Sequence, residues 1–430
     1  MKLNYKRTFL VGLAFMSISA FWQLYDSIIP LMLKNTFGLG DTLAGGIMAL
    51  DNILALFLLP LFGTLSDRVD TPIGKRMPFV LVGTGVTVLA MVCLPIADNL
   101  TNLPLFMSVL FVTLLAVSVY RSPAVALMPD VTPPALRSKA NAVINLMGAL
   151  GAVLALVLIR VLVPEGDRPD YMPIFGLVAG VMVVATLVLF ATIKEKKLAS
   201  EMQAMQASGE GTHQTDSANQ GTGVKGLAPA VRRSLICLLL SVFFWFMAYN
   251  AVTTAFSKYA QEVLGMEGGK FASSLLVATI VAVVAFIPVG IFASNLGRKR
   301  TILFGVALMF VGFTAAFFFT SYHPAVNILL GLVGLGWAAI NVNSYPMVVE
   351  MAKGSDIGKF TGYYYTFSMS GQIITPVLSG AFLEYVGYRT LFPYAAIFML
   401  LACLTMTQVK HGDHKPLLPK DKLEMLDVGD

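Results

Sequence analysis

The chain has 430 residues, of which 57% are hydrophobic and only 13% charged, with a net charge of +6. A water-soluble protein of this length needs far more charge to cover its surface, so lipid is the solvent for most of it. The positive balance does not imply nucleic-acid binding, because the basic residues collect on one side of a membrane.

Apolar runs long enough to cross a bilayer core of about 30 Å recur along the whole chain. They occupy residues 9–33, 43–65, 79–97, 103–128, 140–163, 172–193, 234–256, 271–293, 301–321, 325–349, 360–383 and 388–408. The expected fold class is therefore all-α integral membrane, with about twelve transmembrane helices. The first segment has the basic start and small residues (Ser17, Ser19, Ala20) of a signal peptide, but its apolar run continues to Leu33, too long for a signal core. Cys93, Cys237 and Cys403 fall inside these runs and read as packing residues. His213, His323, His411 and His414 lie in loops or tails without metal-ligand spacing, so no metal and no cofactor is expected.

The distribution of Lys and Arg sets the orientation. With a cytoplasmic N-terminus, the even-numbered connections and the tail are also inside. They then hold roughly 23 of the 30 basic residues. Both termini are expected in the cytoplasm. Residues 195–226 form a long polar stretch rich in Gly, Ser, Gln and Thr, which reads as a flexible linker. The expected organisation is a first six-helix bundle at 1–193, a cytoplasmic linker at 194–231, a second bundle at 232–410 and a poorly ordered tail at 411–430.

The two bundles repeat one another. Phe21-Trp22 and Tyr25-Asp26 match Phe244-Trp245 and Tyr249-Asn250; Pro60 with Ser66-Asp67 matches Pro288 with Ser294-Asn295. Asp130, Lys139 and Gly151 match Glu350, Lys359 and Gly371 at identical internal spacing. Such parallel repeats are the architecture of major facilitator transporters, with the substrate site between halves near mid-membrane.

The connection after the second run sharpens this. Gly63-Thr-Leu-Ser-Asp67-Arg68, then Thr71-Pro-Ile-Gly74-Lys75-Arg76-Met-Pro-Phe79, resembles the helix 2–3 loop of the sucrose-transporter-like and glycoside–pentoside–hexuronide symporter branch of that superfamily. Arg121-Ser-Pro-Ala-Val-Ala-Leu-Met-Pro-Asp130, followed by Arg137-Ser-Lys139, fits the same group. The resemblance implies secondary active transport of a small polar solute, a sugar or glycoside, by alternating access, and no enzymatic activity. The chain departs from the sodium-coupled pattern. Ala55 and Leu59 stand where that group has aspartates before the helix 2 proline, and helix 4 carries no carboxylate within its span. The departure favours H+ over sodium as the coupling ion.

Three sets of candidate residues follow. Asp26 lies about 27 Å along helix 1, and Asp51 about 9 residues from the outer end of helix 2. Both are costly in lipid and are the candidates for proton coupling, the alternative being structural carboxylates bonded to their neighbours. Trp22, Gln23, Tyr25, Asn52, Tyr249, Asn250, Asn341, Asn343, Tyr364 and Gln372 offer flat aromatic faces and amides of the kind a sugar needs, although aromatic residues also serve helix packing. Asp67, Arg68, Lys75, Arg76, Arg121, Asp130, Arg298, Lys299, Arg300 and Glu350 form the gating set. Its loops are read as latches onto helix ends of the opposite half, or as charges that only set topology and bind lipid headgroups. Counted by depth, Arg121 falls in the inner half, out of direct reach of Asp26, so it is expected to face the inner cavity or to reach the charges near Asp130 and Glu350, in substrate binding, gating or holding the Pro123-broken helix in shape. Asn295 in place of an acid makes the second loop degenerate, so unequal latching is expected.

Other readings of the chain are a proton-antiport exporter of drugs or metabolites on the same fold, a channel, and an integral membrane enzyme. The last lacks a nucleophile–base pair, metal ligands or a phosphate loop. Short loops lean toward a monomer in a bacterial inner membrane, with the lipid bilayer and a small solute as its partners.

Overall fold

The computed structural model describes residues 3–133, 136–166, 168–207, 228–351 and 357–413. Much of the expected linker and tail, 208–227 and 414–430, lies outside them. In lipid no water is present to satisfy free N–H and C=O groups, so a spanning segment must close its hydrogen bonds on itself. The apolar runs accordingly form helices: α1 (Tyr5–Leu31), α2 (Asp41–Arg68), α3 (Met77–Asn99), α4 (Leu103–Asp130), α5 (Arg137–Leu162) and α6 (Met172–Thr192). After α7 (Glu195–Ala207) come α8 (Pro229–Glu262), α9 (Phe271–Leu296), α10 (Arg298–Ala316), α11 (Ala325–Val349), α12 (Ile357–Tyr385) and α13 (Leu391–Thr407).

Local chemistry sets their ends. The Asn4 side chain accepts the Arg7 N–H at 3.1 Å at the start of α1, and Asn102 accepts the Leu105 N–H at 3.0 Å at the start of α4. Proline occupies the first turn of α3, α4, α6 and α8, where its missing N–H costs nothing. α1 passes into a π turn at Met32–Thr36, which lengthens the first membrane segment to Thr36. Among the described residues, eleven helices are long and apolar enough to cross a membrane. α12, at 29 residues, is long enough too, but Tyr363, Tyr364, Tyr365, Ser368, Ser370, Gln372 and Thr375 make it more polar than the others. The protein is multi-pass and embedded in the membrane.

The expected flexible linker needs correction at its start, because α7 occupies Glu195–Ala207. The segment Glu-Lys-Lys-Leu-Ala-Ser-Glu-Met combines good helix formers with an acidic first turn, which outweighs its polarity.

Two compact units divide the chain: Met1–Gly38 with Leu50–His213, and Leu39–Ala49 with Gln214–Asp430. In the first, α1 packs on α5 and α6, and α3 packs on α4 and α6. In the second, α8 packs on α12 and α13, and α10 packs on α11 and α13. These four pairings are the same once the helices are matched in order. Glycines make the closest of them. A Cβ at Gly151 on α5 would lie 2.1 Å from the Met16 carbonyl oxygen of α1; at Gly371 on α12 it would lie 2.9 Å from the Phe243 oxygen of α8. The matched glycines therefore serve one purpose, close approach of helix backbones.

Leu39–Ala49, the first turns of α2, cluster with the second unit. Gly45 and Gly380 permit this, since a Cβ on either would strike backbone of the facing helix, the Pro376 oxygen at 1.9 Å or the Asp41 oxygen at 2.3 Å.

Gly151→Ala is expected to destabilise the protein by about 1–3 kcal/mol, because backbone cannot yield as a side chain can. Gly371→Ala is expected to cost less. Thermal denaturation of the purified variants in detergent checks both.

Candidate functional site

On α1, Trp22, Tyr25 and Asp26 stand at i, i+3 and i+4 and share one face. Asp51 and Asn52 come from α2 and Arg121 from α4. The structure brings them together within the first unit. The Arg121 guanidinium lies over the Trp22 ring, 5.4 Å from its centroid, a cation–π geometry. Arg121 is within electrostatic reach of Asp51, Asp51 of Asp26, and both carboxylates of Tyr25. The Asn52 amide donates to Asp51 at 2.8 Å. The Trp22 and Tyr25 rings meet edge to face at 5.4 Å. Two donors here are buried without a hydrogen-bond partner, Trp22 Nε1 and the Tyr25 hydroxyl. Buried donors are normally satisfied, and these two are among a small set of buried side-chain atoms left open among the described residues. Gln23 instead donates to Ser27 Oγ on its own helix at 3.1 Å.

Of the placements expected for Arg121, the one beside Asp130 and Glu350 is not observed: Arg121 lies over Trp22 and within reach of Asp51, while Asp130 pairs with Arg76 and Glu350 with Arg298. Depth was counted along backbone, and a guanidinium on a long stem reaches roughly a helical turn beyond its Cα.

In the second unit Tyr249 of α8 stacks on Trp337 of α11, rings parallel within 1° and 3.7 Å apart, with Phe246 edge-on to Trp337 at 5.3 Å. Asn250 Oδ1, beside them on α8, is buried and unpartnered. Asn341 is half-buried. Other expected contacts are spent on the protein. The buried Asn343 amide donates to the Ala339 carbonyl at 2.9 Å, the buried Tyr364 hydroxyl meets Ser344 Oγ at 3.0 Å, and the Gln372 amide points to Ser368 O at 3.4 Å. These bonds tie the three side chains to their own or a neighbouring helix, as polar side chains in lipid turn back onto carbonyls or neighbours.

Several residues of the gating set have partners within their own unit. Arg76 is buried and donates through Nε to Asp130 at 2.9 Å, and its other nitrogens reach Asp67, Ser66 Oγ and the Gly63 carbonyl. Burial alone would lower the Arg76 pKa; the bond and charge of Asp130, then those of Asp67, outweigh it and raise it. Below the loop, Glu195 of α7 is buried and accepts the backbone N–H groups of Lys75, Arg76 and Met77 at 2.7, 2.9 and 2.8 Å. It caps α3, meeting the positive end of that helix with a full negative charge. Gly74, at φ +123°, leaves room for this carboxylate, which a Cβ would approach to 2.2 Å.

The second unit repeats the device. Arg298 pairs with Glu350, and Asp413 accepts the Lys299 N–H at 2.9 Å at the start of α10. Lys299 Nζ donates to the Thr407 and Val409 carbonyls at 2.9 and 2.6 Å. Arg68 and Arg300 are exposed and join no ion pair among the described residues. Glu195 and Asp413 were not anticipated, although each follows the last apolar run of its half. Nor was the buried ion pair of Lys258 with Asp41, which also accepts from the Tyr388 hydroxyl, while Glu384 accepts the Thr42 N–H at 2.8 Å.

Glu195→Ala is expected to cost about 1–3 kcal/mol, since three N–H donors lose their acceptor in a buried place. Glu195→Gln, which keeps one acceptor oxygen, is expected to cost less. Thermal melting of the two variants separates them.

Comparison with known proteins follows the same line. The family model for the Major Facilitator Superfamily matches residues 11–321 and 274–425. The isoprimeverose transporter of Lactiplantibacillus pentosus is 23% identical over 304 residues, 68% of this chain and 60% of that protein. The match thus spans less than two thirds of that relative's length. Among solved structures, the inward-open xylose transporter XylE from E. coli has a TM-score of 0.68 at 14% identity, covering 98% of both chains. The nucleoside transporter NupG has a TM-score of 0.69 at 13% identity, covering 94% of this chain and 100% of that one. At such identities the likeness is one of fold.

Proposed function

The chain belongs to the Major Facilitator Superfamily, a family of membrane transporters rather than enzymes, and on that premise we propose that it moves a sugar or glycoside by alternating access, coupled to protons. The observation that carries this reading is the cluster of Asp26, Asp51, Arg121, Trp22 and Tyr25, with its two unpartnered buried donors. A sugar ring supplies both an apolar face for an indole and hydroxyl acceptors for Trp22 Nε1 and the Tyr25 hydroxyl. Asn52 from the first bundle, and Tyr249, Asn250 and Asn341 from the second, complete the proposed substrate set. The isoprimeverose transporter among the relatives supports the same cargo class.

In this proposal Asp26 and Asp51 carry the proton. Two carboxylates within reach of each other and one guanidinium leave a net negative charge that lipid disfavours, and a proton removes it. Asp67, Arg76 and Asp130, with Arg298, Lys299 and Glu350, hold the loops of each half rigid so that each bundle moves as a body. We place both termini in the cytoplasm of a bacterial inner membrane, with six-helix bundles at 1–193 and 232–410, and the protein acting as a monomer.

Uptake of labelled mono- and disaccharides into proteoliposomes tests the cargo. Accumulation is expected only when the proton gradient points inward, and the cargo assignment falls if no sugar moves with or without the gradient. For coupling, Asp26→Asn or Asp51→Asn is expected to abolish accumulation while sustaining sugar exchange. If both variants accumulate normally, neither residue carries the proton. Trp22→Ala is expected to raise the sugar concentration for half-maximal uptake by about tenfold, the worth of one buried aromatic contact.

A further inference from the structure

We propose that the chain binds a phosphate-bearing anion, the headgroup of an anionic phospholipid, in a cavity between the start of α1, the end of α6 and α7. The cavity has a volume of about 340 Å³ and is separate from the cluster around Trp22. Four cationic side chains line it: Lys6 and Arg7 from α1, Lys194 from the turn after α6, and Lys197 from α7. A single carboxylate, Glu201, stands against them. None of the four cations donates a side-chain hydrogen bond or joins an ion pair among the described residues.

The unpaired state follows from how α7 is mounted. Lys194, Lys197 and Glu201 fall at i, i+3 and i+7, so they share the face turned to the cavity. The acid that neutralises them in sequence, Glu195, is on another face and is consumed in capping α3. Lys196 likewise turns away and pairs with Asp70 at 3.1 Å. The helix is pinned on one side by its carboxylate and presents bare cations on the other. Cations held near one another without partners repel, and a phosphate with several acceptor oxygens relieves that repulsion.

A lipid suits this place better than a free anion. The cavity sits at the level where α1 begins and α6 ends, the boundary of the membrane. Leu10 and the buried Ile193 give it an apolar floor, and its volume exceeds the space a bare phosphate ion fills. A phosphodiester headgroup with the first carbons of its glycerol matches both the cations and the floor.

The test uses the full chain in phosphatidylcholine nanodiscs, with and without phosphatidylglycerol, and reads lysine acetylation by mass spectrometry. Phosphatidylglycerol is expected to protect Lys194 and Lys197 from acetylation. The double variant Lys6→Gln, Lys197→Gln is expected to bind phosphatidylglycerol about thirtyfold more weakly. A charge-matched control in the second unit, Arg232→Gln with Lys410→Gln, is expected to leave this unchanged. Inorganic phosphate separates the sources. If it protects the lysines without lipid and phosphatidylglycerol adds nothing, the site takes a soluble phosphate and the lipid assignment is overturned. If neither protects the wild-type lysines, or the control loses as much affinity as the double variant, the cavity is no anion site and the proposal fails. The acetylation of the wild-type chain decides this even if a variant does not fold.

Discussion

Lipid offers no hydrogen-bond partner, and every polar group that enters it must bring its own. That constraint first makes the helices and then sorts the charges. Where α3 and α10 begin at a membrane boundary, their free N–H groups are met by carboxylates from distant sequence, Glu195 and Asp413. The buried Arg76 is bound on every side, by Asp130, Asp67, Ser66 and a carbonyl, because an uncompensated buried charge is among the costliest defects a protein can carry. In the cluster around Arg121, Trp22 Nε1 and the Tyr25 hydroxyl stay without a partner, as do other buried side-chain atoms among the described residues, Asn250 Oδ1 and Trp245 Nε1 among them.

The same constraint explains why duplication left such a visible mark. Matched glycines hold matched helix pairs, and the pairing of a loop arginine with a helix-end carboxylate occurs in both units, as Arg76 with Asp130 and Arg298 with Glu350. Each of these contacts lies within one unit, so each half solves its own boundary problem. Within each unit these pairs brace a loop against a helix end. In the second unit the acids beside the loop are Glu350, fifty-odd residues on from Asn295, and Asp413. The first turns of α2 are the exception to this independence. They cluster with the second unit through Gly45, Gly380 and the buried pair of Asp41 with Lys258.

By itself the sequence determined the membrane class, the helical spans, the duplication and the candidacy of Asp26 and Asp51. All of these rest on local quantities: the length of an apolar run, the spacing of a repeat, or the cost of a carboxylate at a given depth. Tertiary structure alone decided which charges meet. Arg121 reached Trp22 and Asp51 because a long side chain decouples charge from backbone depth. Asn343, Tyr364 and Gln372 found partners on their own or a neighbouring helix because the direction of a side chain depends on the helices around it. Glu195 became a cap, and its neighbouring lysines became open cations, only once α7 was laid against the start of α3. A pairing between residues more than a hundred positions apart leaves no periodicity to read, and its partner is fixed by the packing that brings the two together.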